Sequence, residues 1–164
     1  MKKHRIGFDV GGVVIDRVND KTDTSFFSDR YLDSTAVPHV FEEVAGLVTR
    51  FGPDDSFIIS KCGENVQRKT LEWLLHNGFY ARTGMLPAHV HFCLRRDGKH
   101  PIAQELGLTH FVDDRVEVLG YMKSVTHRIA FQPHDMHKFA RLMPQVTVAD
   151  DWPHAGRIIH ATLL

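Results

Sequence analysis

Cysteine is scarce in this sequence, with Cys62 and Cys93 as the whole supply. Two thiols without zinc-ligand spacing build neither a metal finger nor a disulfide framework, so a reducing compartment suits the chain. Net charge is also missing, because 20 Lys and Arg balance 20 Asp and Glu. No global field therefore draws the chain to nucleic acid or to anionic membranes, although neutrality allows a local basic pocket. Long apolar runs are absent, and nothing approaches the roughly 20 residues of a membrane span. The start Met1-Lys2-Lys3-His4-Arg5-Ile6-Gly7-Phe8-Asp9 is basic, but Asp9 interrupts the apolar run that a signal peptide would need. A cytoplasmic protein is the expectation. Repeats and low-complexity tracts are missing too. The 164 residues are therefore expected to form a single domain (1–164), large enough to bury its own core.

What is present is a regular alternation of elements, with an apolar fraction of 43% that is ordinary for a globular chain. Ile6 to Asp9, with Val13 to Ile15 as an optional extension, reads as a buried strand ending in a glycine turn. Residues 16–36 are polar, with Phe26, Phe27, Tyr31 and Leu32 interspersed, and read as a loop or short hairpin. Val37, Val40, Phe41, Val44, Leu47, Val48 and Phe51 fall at helical spacing, and Gly52-Pro53 stops that helix. Ser56 to Ser60 reads as a second strand, Glu64 to His76 as a helix, and Ala88 to Leu94 as a third strand. A helix over Pro101 to Leu106, a strand over Thr109 to Val112 and a helix over Arg115 to Met122 follow. Arg128 to Phe131 is the fifth expected strand, His134 to Leu142 a helix, Val146 to Val148 a last strand and Asp151 to His160 a last helix. Strands alternating with helices at this spacing mean an α/β fold, a three-layer Rossmann-like parallel sheet with helices on both faces. Ligands of such sheets bind beyond the carboxyl ends of the strands. Asp9, Ser60 and Asp113 are the sharpest polar residues at those ends.

Four pieces stand in order along the chain. They are Phe8-Asp9-Val10-Gly11-Gly12-Val13-Val14, then Phe57-Ile58-Ile59-Ser60, then Lys99, then Phe111-Val112-Asp113-Asp114. From Lys99 one helix and one strand lead to the paired carboxylates. In this order and spacing the pieces resemble the four motifs of the haloacid dehalogenase-like superfamily, most of whose members are magnesium-dependent phosphatases. The resemblance runs from the first strand to the last helix.

That resemblance implies a role for each residue. Asp9 would be the nucleophile, since a carboxylate attacking phosphorus makes an acyl phosphate and splits one hard step into two. Mg2+ prefers hard oxygen ligands and keeps several waters, so Asp9, Asp113 and the backbone carbonyl of Gly11 would hold it. Asp114 would hold a metal-bound water or orient Lys99. Gly12, Ser60 and Lys61 would meet phosphate oxygens, with the amides that follow Ser60 at a strand-to-helix turn contributing. Lys99 would neutralise charge on phosphate and on Asp9. The implied substrate is a phosphorylated small molecule or a bulkier phosphorylated one, because residues 16–36, at the usual place of a cap domain, are too few for a separate lid. No nucleic acid or membrane partner is indicated.

One position departs from the pattern. Phosphatases of the superfamily carry a second aspartate where this chain has Gly11, and it protonates the leaving group. A weakened module that binds a phosphorylated ligand without efficient turnover is therefore the rival reading. Dehalogenation, which needs no metal, sits poorly with paired Asp113-Asp114, and phosphonate cleavage needs a cap lysine that this chain lacks. Taken alone, Asp113-Asp114 could simply cap the helix that follows. His89-x-His91 and His134-x-x-His137 have no third ligand in a recognisable spacing and read as structural histidines. Cys62 lies near a helix start that would favour its thiolate. Trp73 and Trp152 are expected in the core.

Overall fold

The computed structural model describes residues 3–17 and 28–164. Six parallel strands form one sheet in the order β3-β2-β1-β4-β5-β6. The strands are β1 (Ile6–Phe8), β2 (Ser56–Lys61), β3 (Val90–Cys93), β4 (His110–Asp113), β5 (His127–Phe131) and β6 (Thr147–Ala149). The helices are α1 (Val40–Phe51), α2 (Glu64–His76), α3 (Phe79–Thr83), α4 (Lys99–Leu106), α5 (Val116–Tyr121) and α6 (Trp152–Ala161). Short 3-10 turns punctuate the connections, among them Tyr31–Asp33 and Ala140–Gln145.

Strand alternation divides the core in two. Ile6 and Phe8 of β1 point to one face, where Val44 and Leu47 of α1, Trp73 of α2, Phe79 of α3 and Trp152 of α6 cover them. Phe57 and Ile59 of β2 and Phe111 of β4 point to the other, under Ala103 of α4 and Val116 and Leu119 of α5. Right-handed crossovers require this arrangement. The chain winds outward from β1 to β3 with α1 to α3 on one face. It then crosses to β4 and winds the opposite way, with α4 and α5 on the other. This is a Rossmann-like sheet whose winding reverses between β1 and β4. At such a reversal the loops diverge and leave a crevice at the carboxyl ends.

Both tryptophans are fully buried, each worth at least about 2–3 kcal/mol of apolar burial. Their indole N–H groups are also used. Trp152 Nε1 donates to the carbonyl of Val13 at 2.8 Å, and Trp73 Nε1 to that of Ser34 at 2.9 Å. The last helix is thereby tied to the turn that follows β1.

Several boundaries differ from the sequence reading. Val13 to Ile15 do not extend β1. The chain doubles back, with Val14 and Ile15 N–H both donating to the carbonyl of Val10. Gly78, at φ +69°, closes α2 and also opens a short helix, α3, that the sequence reading did not anticipate. Residues 134–142 are not an α-helix but a string of turns running into the 3-10 segment, in which Pro144 sits. The reason is at Asp135. Its carboxylate accepts the backbone N–H groups of Val116 at 2.9 Å and Glu117 at 3.1 Å. It therefore caps α5 rather than opening a helix of its own. Of the expected loop 16–36, residues 18–27 lie outside the described residues, Phe26 and Phe27 among them. From 28 onward it contains the 3-10 turn and an antiparallel bridge from Ile15 to Ala36.

Candidate functional site

Register places the carboxylates side by side. Phe8 of β1 pairs with Val112 of β4, and the next N–H, that of Asp9, donates to the Val112 carbonyl at 2.9 Å. Asp9 therefore emerges from β1 beside Asp113, the last residue of β4. Lys99, the first residue of α4, enters between them. Its Nζ lies 2.9 Å from Asp9 Oδ1 and 2.8 Å from Asp113 Oδ2, and its side chain is only 2% exposed. The other Asp113 oxygen accepts the Arg115 backbone N–H at 3.0 Å. Asp114 is buried as well. Its Oδ2 lies 3.4 Å from Arg17 Nε, while its Oδ1 has no hydrogen-bond partner.

One oxygen from each of Asp9, Asp113 and Asp114 falls within 4.8 Å of the others, and no other such acidic, histidine or cysteine group occurs among the described residues. Three buried carboxylates share Lys99 and the half-exposed Arg17, so one negative charge is left over. The strain shows in the acidities. Burial, and then the charge of Asp9, pushes the Asp113 carboxyl up against the pull of Lys99. Burial, Asp9 and Asp113 push Asp114 up in the same way. For Lys99 burial acts downward, but Asp113 and Asp9 outweigh it and hold the ammonium above its ordinary value. An unpartnered carboxylate oxygen beside two more carboxylates is a donor set that fits a small, hard dication, which would replace the missing positive charge. Asp9, Asp113 and Asp114 are the side chains that would hold it.

The glycine turn makes the approach possible. Gly12 has φ +78°, and a Cβ there would lie 2.9 Å from Asp114 Cγ. Only glycine lets Asp114 pack against this loop. The Gly12 N–H donates to the Ile15 carbonyl at 2.8 Å and so is engaged in the turn itself. Gly11 bridges to Ile15 and has no positive φ, and a Cβ on it would meet the Arg17 guanidinium at 3.2 Å.

A cleft of about 160 Å³ opens over these groups. Asp9, Lys99 and Asp113 form its floor, and Arg17, Lys61, Arg96 and Arg115 stand around it. Ser60, buried at the end of β2, has its hydroxyl 3.9 Å from Cys62 Sγ. The Cys62 N–H is spent on the Cys93 carbonyl at 3.0 Å, and burial pushes the Cys62 thiol up, so the helix start does not make it a thiolate. His89 is stacked on Phe57, 4.5 Å between centroids, and accounts for itself as packing.

Arg17, Arg96 and Arg115 were invisible as site residues in the sequence. Arg17 reaches Asp114 only because the turn at Val10 to Ile15 folds the chain back. No spacing signal encodes that. The chain matches no protein-family model and no curated protein.

Proposed function

We propose that the protein is a magnesium-dependent phosphohydrolase of the haloacid dehalogenase-like kind, with phosphate monoesters as its general substrate class. The observation that carries this reading is the buried Lys99 ammonium bridging Asp9 and Asp113 at the point where the sheet reverses, with Asp114 in the same cluster. Lys99 fixes one oxygen of Asp9 and so orients the carboxylate for attack on phosphorus. The acyl phosphate then formed on Asp9 is released by water, and the carboxylate returns. Magnesium, when bound, would supply stabilisation of the charge on the phosphoryl oxygens. Lys99 adds positive charge at the same place, and Ser60, near the end of β2, would meet a phosphate oxygen.

An aryl phosphate assay with and without Mg2+, on wild type and Asp9→Asn, tests the reading. Turnover should require the metal and fall by more than about a thousandfold in the variant, with the fold checked by circular dichroism. A folded Asp9→Asn protein that keeps most of its activity overturns the mechanism. Magnesium-dependent phosphate binding without turnover would instead assign the domain to ligand binding.

A further inference from the structure

We propose that the group leaving phosphorus in this site is itself a phosphate, so that the favoured substrate ends in a diphosphate, a phosphoric anhydride, rather than in an alkyl phosphate. The inference deepens the reading above and rests on Asp9 as the phosphoryl acceptor.

The described residues of the cleft offer no free proton donor to a leaving group. An alkoxide is about as basic as hydroxide, whose conjugate acid has a pKa of ~16, and it leaves phosphorus only if a proton arrives with it. The described residues lining the cleft include no histidine, tyrosine, cysteine or glutamate. Arginines do not release protons, and Lys99 Nζ is bound between Asp9 at 2.9 Å and Asp113 at 2.8 Å. Asp9 is committed to attack, Asp113 is tied to Lys99 and to the Arg115 N–H, and Asp114 packs behind Gly12, 3.4 Å from Arg17, without lining the cleft. The space beside the nucleophile, into which a side chain at position 11 would point, is covered by a cation. Arg17 Nη2 and Nε lie 3.2 and 3.3 Å from where a Cβ on Gly11 would be.

The cleft offers positive charge instead. Arg96 is matched by Glu117 at 2.8 Å, and Lys99 and Arg17 face the aspartates. Lys61 and Arg115 also line the cleft, and among the described residues neither side chain has a carboxylate partner. Two spare cations suit a leaving group that departs carrying two negative charges. A phosphate has a second pKa of ~6 and needs no proton at neutral pH. Aryloxide and carboxylate leaving groups also need none, but each carries a single charge.

The step balances without any further reactant. The Asp9 carboxylate forms a bond to the terminal phosphorus, the bridging P–O bond breaks, and its electron pair leaves with the inner phosphate. Lys61 and Arg115 take up that charge, as a cationic side chain does in other phosphoryl transfers. Water then displaces Asp9 from phosphorus, the electron pair returns to the carboxylate, and one proton passes to solvent.

The test uses the full chain at fixed free Mg2+. The kcat/KM values for inorganic pyrophosphate and a nucleoside diphosphate are compared with those for para-nitrophenyl phosphate and glycerol phosphate. Calorimetry compares methylenediphosphonate with methylphosphonate as unreactive probes. The better diphosphate should exceed glycerol phosphate by at least ~100-fold, the value of a missing proton donor. Methylenediphosphonate should bind at least ~10-fold more tightly than methylphosphonate, and Arg115→Gln or the exposed Lys61→Gln should erase most of that advantage. Arg115→Gln should also lower diphosphate turnover about tenfold more than aryl phosphate turnover. Glycerol phosphate turned over as fast as either diphosphate, or a binding advantage untouched in both folded variants, overturns the proposal. Aryl phosphate turnover that needs Mg2+ and Asp9, with neither diphosphate cleaved, refutes this inference alone. No turnover of any of them refutes it together with the reading on which it rests.

Discussion

Replacing Lys99 with methionine should destabilise the protein, and the loss should grow with pH. The methionine stem fills nearly the same volume, so packing changes little. What disappears is an ammonium 2.9 Å from Asp9 and 2.8 Å from Asp113, in a side chain only 2% exposed. Removing one partner of a buried ion pair costs about 3–5 kcal/mol, because the remaining charge is uncompensated. Here the remaining charges are carboxylates clustered within 4.8 Å. Asp113 and Asp114 are already pushed above the ordinary carboxylate range, and loss of Lys99 pushes Asp113 further. A carboxyl that is harder to ionise when folded binds more protons in the native than in the unfolded state. Stability then falls as pH rises through the window between the unfolded and folded pKa values. The penalty of Lys99→Met should therefore be largest near pH 8, where a domain of this size would lose roughly 10 °C in Tm, and much smaller near pH 5. Thermal melts of both proteins in EDTA at the two pH values measure this, and the wild-type comparison cancels titrations elsewhere. Millimolar Mg2+ should restore part of the loss, since a ligand of the native state alone stabilises it by mass action. An equal loss at both pH values, or a loss below about 1 kcal/mol at pH 8, would refute the charge argument.

Gly12→Ala combines a positive φ with a collision at the Asp114 carboxylate. It should cost about 1–3 kcal/mol in urea melts and weaken Mg2+ binding by calorimetry, while Gly11→Ala, facing only the mobile end of Arg17, should cost less than about 1 kcal/mol. Burial, then the charges of His127 and His4, push His110 down to about 3. A base that is harder to protonate when folded gives stability that is complete above pH 6.5 and is lost as pH falls toward 3. At pH 5 the loss is at most about 2 kcal/mol relative to pH 7, and His110→Gln should flatten that slope in urea titrations. Asp135→Ala removes two hydrogen bonds from the first turn of α5 and should cost about 1–2 kcal/mol in chemical denaturation.

Much of this fold could be read in the sequence, because its elements carry strong local signals. The expected helix Glu64 to His76 matches α2 at both ends, and the strand Ser56 to Ser60 falls one residue short of β2. Asp9 and Asp113 were legible because a strand end fixes where the next side chain stands, and Lys99 because it opens a helix. Residues 134–142 misled because Phe139, Leu142 and Met143 pack on the second core at helix-like spacing while Asp135 is drawn to another element. The five residues of α3 are too few to show a period. The rim cations were hidden for a different reason. Each reaches the cleft through the length and direction of its own side chain, which no spacing rule records.

The separation of Asp9 from its partners also has a consequence for synthesis. Lys99 lies 90 residues after Asp9. At 5–20 residues per second a nascent chain exposes Asp9 roughly 5–20 s before its lysine appears, and longer before Asp113. During that interval β1 can pair with β2, but the edge destined for β4 stays open, an unpaired row of backbone groups flanked by Ile6 and Phe8. Long-range parallel pairing is slow to form, so β1 waits as an adhesive edge near the middle of the future sheet. Chaperone demand should be greatest in this window. Closure of β4 onto β1 ends the hazard and brings Asp113 beside Asp9 in the same event.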